Sequence, residues 1–324
     1  MDRLLIYRER FLKLISSRGK YIQFFGRFLC GVILFFVSSR IYGYVGLLSE
    51  PFIFIILGLV CVFVPGSIVF LLFQLIVTVE LAAVFLELSL VYVVLIVLYY
   101  LIYQRVFPRG SVLFLMTPIF FYFHIPAVLP IFVGAFIGLT GLPAILMGTF
   151  QYYLAIVIQE AVLRVENGTG SGRLYSLVLE GTTGNKELLL CILVFILVAA
   201  FVAGIRKMGI AYGWYIAILF GGVMYLLSIL TGGYFLNSEV NIISEIVMIF
   251  VSVCIVMIIQ FFYNVIDYTR QETFEFEDEE YYYYVKAIPK ISVEEEEFNI
   301  TKINVPSRRF YLKKKEKNDE GEES

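Results

Sequence analysis

Ionisable side chains inside apolar runs are the first place to look for chemistry, because a charge in hydrocarbon is costly and tends to be kept for function. Glu80 and Glu87 stand seven residues apart in a run that also holds Gln74. At 100° per residue, a single helix through them puts both carboxylates on one face. The spacing predicts an intramembrane carboxylate ladder with Glu80 the deeper member, either a cation or proton site or a carboxylate bonded to a neighbouring helix. His124, the one histidine in the chain, lies between Tyr122 and Pro126. It fits a hydrogen-bonded structural residue or a proton relay. Glu160 precedes Arg164 by one helical turn and reads as a pair capping the outer end of a crossing.

Other chemistries are missing at the level of pattern. The sequence has no GxxxxGK[ST] phosphate loop, no HExxH and no GxSxG nucleophile turn. Cys30, Cys61, Cys191 and Cys254 sit singly in apolar runs and read as small buried hydrophobes. A single histidine argues against a histidine-built metal or haem site. No cofactor and no catalytic residue is expected, and the chain reads as non-enzymatic.

The elements that hold these residues follow from composition. Of 324 residues 60% are hydrophobic and 16% charged, against ~45–50% and ~25% in soluble domains. Lipid must therefore solvate most of the surface. The expected fold is all-α, a polytopic bundle of about ten spans. The candidate spans are 22–39, 43–64, 67–87, 89–104, 111–127, 128–146, 147–163, 187–205, 212–231 and 242–266. Pro65-Gly66, Ser89, Arg105 to Gly110 and Gly232-Gly233 serve as joints, with a flexible Gly-rich loop from Asn167 to Lys186. Pro118, Pro126, Pro130 and Pro143 interrupt 111–148, so that pair also fits one re-entrant hairpin, giving eight crossings. Gly134, Gly138 and Gly141, with Gly148 beyond Pro143, share an arc of about 80° on a continuous helix and predict a close helix contact.

Charge then orients the chain. Residues 1–270 carry 16 basic and 12 acidic side chains, a net of +4, whereas 271–324 carry 9 and 15, a net of −6. A uniformly basic nucleic-acid binder is excluded. Residues 1–21 mix Arg and Lys with Leu and Phe at helical spacing, the pattern of an interfacial amphipathic helix. With that segment cytoplasmic, either count returns every basic cluster near a short loop to the same side. The transmembrane domain is 22–270, both termini are expected in the cytoplasm, and the lipid bilayer is the first partner.

From 271 onward lies an acidic, tyrosine-rich tail of mixed strand and disorder character, with Tyr281, Tyr282, Tyr283 and Tyr284 after six acidic residues. The run FEDEEYYYYVKAIPK, fifteen residues just after the last span, resembles the tail of uncharacterised polytopic membrane proteins of Gram-positive bacteria. That resemblance implies a bacterial plasma membrane and no activity. Two functions fit: a membrane subunit or scaffold whose tail recruits a cytoplasmic protein, or a transporter of small solutes. For the second, ten spans divide into five and five with inverted topology.

Overall fold

The computed structural model describes residues 19–166, 174–208, 212–236, 241–263, 272–277 and 282–287. The predicted interfacial helix falls almost wholly outside them, as do Tyr281 and everything from 288 on. Each of the ten apolar stretches contributes to a helix, with bounds that differ from those expected. Seven helices are long and apolar enough to cross a membrane: α1 (Gly19–Ile41), α3 (Gly66–Val84), α4 (Leu86–Tyr99, continued as a π turn to Gln104), α7 (Leu142–Glu166), α9 (Lys186–Lys207), α10 (Gly213–Leu236) and α11 (Ile242–Tyr263). The chain is a membrane-embedded helical bundle. Three apolar helices are shorter: α2 (Pro51–Phe63), α5 (Gly110–Tyr122) and α6 (Val128–Phe132, continued as a π turn to Ile137). A ten-residue helix, α8 (Leu174–Thr183), packs on α7, with Gly181 against Val157. Part of the expected flexible loop is therefore ordered helix.

The joints differ from the sequence expectation in instructive ways. The stretch 43–64 begins with a turn and a 3-10 segment, Gly46–Ser49, and becomes α-helical only at Pro51, which suits the first helical position because it has no N–H to leave unpaired. Phe85, not Ser89, divides the long third run. It is extended, with φ −157° and ψ 111°, and it ends α3 and starts α4. Gly232 and Gly233 lie inside α10, where Gly232 gives room to Leu190 of α9.

The centre of the bundle is the proline-rich stretch. Pro118 sits inside an intact α5, Pro130 in the first turn of α6, and Pro143 in the first turn of α7. The break falls instead at Gly138, whose φ of +84° and ψ of −170° are open to glycine alone. So the predicted boundary between 128–146 and 147–163 is wrong. The α-helix of 142–166 is continuous, and 128–137 is a separate ten-residue piece, about 15 Å long against a ~30 Å hydrocarbon layer. Most of α5 and α6 is buried. Helix α5 lies among α1, α3 and α7, and α6 among α9, α10 and α11. The long helices, above all α11, keep apolar side chains such as Phe250 and Ile243 on the outside.

The expected glycine stripe does not exist as one surface, because Gly138 interrupts the helix. Gly134 lies where an added Cβ would come within 2.7 Å of the Ala199 carbonyl oxygen of α9. Gly141 faces Leu113, and Gly148 meets Thr117 of α5. A comparable approach that the sequence did not single out joins α1 to α2, where Gly31 and Gly58 meet back to back.

These environments predict three outcomes for alanine. Gly134→Ala should destabilise by about 1–3 kcal/mol through overpacking against backbone. Gly138→Ala, with open space around it but forbidden φ, should cost about as much through strain. Gly204→Ala, in the helix interior with nothing nearby, should be neutral or raise stability by up to ~1 kcal/mol. Thermal melting in mild detergent distinguishes them. Equal effects at all three positions would contradict the account.

Candidate functional site

Glu80 is held, not free. One carboxylate oxygen, Oε2, accepts hydrogen bonds from the backbone N–H of Tyr44 (2.7 Å) and Val45 (2.8 Å), and the residue is 2% exposed. Gly43 at φ +51° turns the chain so that both amides point at it. This carboxylate pins the loop after α1 to the end of α3. Glu87 does not share its face: the break at Phe85 puts it in the first turn of α4, exposed, where the helix dipole favours an acidic group. There is no carboxylate ladder, because the single helix that the seven-residue spacing required is two helices.

Gln74 enters a different arrangement. The Tyr92 hydroxyl donates to Gln74 Oε1 (2.5 Å), and Gln74 Nε2 donates to Gln151 Oε1 (3.3 Å). The Tyr42 hydroxyl donates to the Gln151 carbonyl (3.4 Å), and Gln159 donates to the Ile41 carbonyl. These bonds lace α3, α4 and α7 to the end of α1. Such interhelical bonds average about 0.6 kcal/mol each in membrane proteins. Their role is to fix packing.

Glu160 pairs with Arg164 at 3.7 Å, with both side chains more than half exposed. A pair so solvated contributes ~0–1 kcal/mol.

His124 is the residue around which other groups gather. Helix α5 ends in a Schellman motif. The N–H of His124 donates to the Phe121 carbonyl (3.0 Å), and that of Ile125 reaches back to Phe120 (2.9 Å). This places His124 at the left-handed position, φ +59°, where glycine is usual. The side chain is exposed at the wall of a cavity of about 370 Å³. Glu187 from the first turn of α9 and Glu245 from the first turn of α11 line the same cavity, as do Asn241 and Cys191. Tyr152, Tyr153 and Tyr225 complete its wall.

Phe121 organises the aromatic side. It stacks on Tyr152 (4.6 Å between ring centres) and on Phe195 (6.0 Å), and meets Tyr153 edge-on (5.9 Å). Helices α5, α7 and α9 thus meet in one aromatic cluster directly beneath the cavity. Among the described residues, no group of three or more His, Cys, Asp and Glu is placed to hold a metal ion. No family model, no curated protein and no solved structure matches the chain. The cavity's own chemistry is therefore the guide: two carboxylates, an imidazole, an amide and tyrosine faces at one end of the bundle suit a small organic cation. Carboxylates attract the charge and the rings offer cation–π contact.

Each of Glu187 and Glu245 also has a structural reason for its place, since a first-turn acidic residue is stabilised by its helix. Their convergence with His124 on one cavity is the added fact. Sequence spacing hides it, because the three residues come from elements 58 or more positions apart. The signal that was available is that Glu187 and Glu245 each open an apolar run just after a loop.

The four-tyrosine run contributes Tyr282, Tyr283 and Tyr284 to a hairpin. Strand β1 (Glu272–Glu277) pairs antiparallel with β2 (Tyr282–Ala287), setting Glu277 opposite Tyr282, Phe276 opposite Tyr283 and Glu275 opposite Tyr284.

His124 allows a clean separation of fold from function. His124→Gly removes the imidazole while relaxing the left-handed backbone, so thermal stability should hold or rise by ~1 kcal/mol. Ligand affinity of the cavity should fall. A marked loss of stability on this substitution would mean that the imidazole is structural.

Proposed function

We propose that the chain is a multi-pass transport protein of a bacterial plasma membrane, and that the cavity beneath His124 is its outward-facing site for a small organic cation. The observation that carries this reading is the broken pair α5–α6, whose turn delivers His124 between the first turns of α9 and α11. Discontinuous helices around a cavity are how many transporters build their sites. The protein is non-enzymatic on this reading.

The same reading orients the chain. With both termini cytoplasmic, the N-termini of α9 and α11 face outward, and Arg105, Arg109, Arg206 and Lys207 face inward. Helices α5 and α6 reach from the inner end to the cavity and back, a shortened excursion shielded by protein. Eight helices, the seven long ones and α2, then complete the crossings, with α5–α6 as the re-entrant hairpin.

A second reading rests on the β1–β2 hairpin. Its two strands offer open edges for another protein to extend, which fits a scaffold that recruits a cytoplasmic partner. The two readings separate in one comparison. Purified full-length protein and a version ending at Arg270 are titrated with a panel of quaternary ammonium and primary amine ligands and followed by thermal shift. Transport predicts concentration-dependent stabilisation in both forms. It also predicts that Glu187→Gln with Glu245→Gln weakens binding more than tenfold, since bonds to charged groups carry about 1.5–3 kcal/mol. Absence of any shift across the panel, with a stoichiometric partner lost on truncation, favours the scaffold.

A further inference from the structure

A second concavity lies away from the His124 cavity and has different chemistry. It is a groove of about 300 Å³ between α1, α2, α3 and α5. Its walls are apolar: Leu34, Val69, Val112, Leu115 and Met116. Gly31 and Cys61 form part of its floor, where α1 and α2 lie in close contact through Gly31 and Gly58. One charge lines it, Arg27, exposed and without an ion-pair partner among the described residues.

The position of that charge matters. Arg27 lies two turns into α1, and the same groove is lined by Val64 and Gly66 at the turn that ends α2 and begins α3. The groove therefore runs from a helix–helix turn at one end of the bundle into the apolar layer. A cation at that end and an apolar slot leading inward complement an amphiphile of the opposite arrangement. We propose that this groove binds one anionic phospholipid, its phosphate on the Arg27 guanidinium and an acyl chain against Leu34, Leu115 and Met116. The guanidinium offers a planar fork of donors suited to phosphate, and burying the chain in the slot removes it from no favourable solvent, so the head group decides which lipid is held. The proposal is independent of the solute reading.

Cys30 supplies the reporter, since it lines the groove and is exposed. The full chain lacking Cys61, Cys191 and Cys254 is placed in nanodiscs of phosphatidylcholine alone or with phosphatidylglycerol, and maleimide labelling of Cys30 is timed. An otherwise matched protein carrying Leu29→Cys in place of Cys30, at the same depth, reports the general effect of a negative membrane surface. The expected result is that phosphatidylglycerol slows Cys30 about fivefold more than Leu29→Cys, the factor equivalent to the ~1 kcal/mol that one basic residue contributes at an anionic surface. Arg27→Gln should abolish the difference, and Arg27→Lys should retain part of it. Soluble glycerol phosphate added to phosphatidylcholine discs should give no protection, because it brings no acyl chain. Equal slowing at both cysteines, protection by glycerol phosphate, or protection that survives Arg27→Gln would each overturn the proposal.

Discussion

In hydrocarbon no water is available to a backbone amide or carbonyl, so every break in a helix must find its partners within the protein. The break in this chain lies between α5 and α7, and the surrounding architecture answers it. Helix α6 ends in a π turn, and the Gly138 amide closes it on the Val133 carbonyl at 2.7 Å. The Ala135 carbonyl accepts from Arg206 Nη1 at 2.5 Å, and the Arg206 guanidinium lies 5.2 Å from the Trp214 ring centre. The Thr140 carbonyl accepts from the Tyr103 hydroxyl at 2.6 Å. At the other end of the pair, the Schellman bonds of Phe120 and Phe121 close α5 internally. Removing Arg206 would leave the Ala135 carbonyl without this side-chain donor.

Burial of this pair sets the place of everything else. Helices α5 and α6 are mostly buried among longer ones, and close approach requires small residues at the contacts. Gly134 against α9 and Gly148 against α5 meet that need, while Gly221 accommodates Val202 where α10 joins. The same enclosure explains why a cavity exists. The turn at His124 stops short of the first turns of α9 and α11, and the gap is lined by whatever those turns carry. Here they carry carboxylates.

Much of the architecture was legible as composition: apolar runs of crossing length predict membrane helices, and seven helices are long and apolar enough to cross. What periodicity could not supply was where a helix stops without a breaker. Phe85 ends α3 although no Pro or Gly marks it, because the α3–α4 packing closed by Tyr92 and Gln74 determines the turn. Conversely, Gly232-Gly233 reads as a breaker yet lies inside α10, where the contact with Leu190 overrides local preference. Glu80 was visible as a buried carboxylate, but its partners are backbone amides of a loop, which no side-chain pattern announces. In the sequence His124 stands out only as the single histidine. Its left-handed backbone and its neighbours Glu187 and Glu245 arise from tertiary packing, so the site as a set was hidden.

On the transport reading, the turn between α5 and α6 opens an outward-facing pocket that prefers cations, and reagents of opposite charge should distinguish it. Ile229, at the pocket wall and half-buried, is replaced by cysteine in a chain lacking the four native cysteines. Intact cells are then exposed to membrane-impermeant methanethiosulfonates of similar size, one cationic and one anionic. The expected result is modification from outside, with the cationic reagent faster by about tenfold or more, and no modification of an outward-facing apolar Leu193→Cys control. Equal rates for the two reagents, or reaction at Ile229→Cys only after the cells are opened, would contradict it.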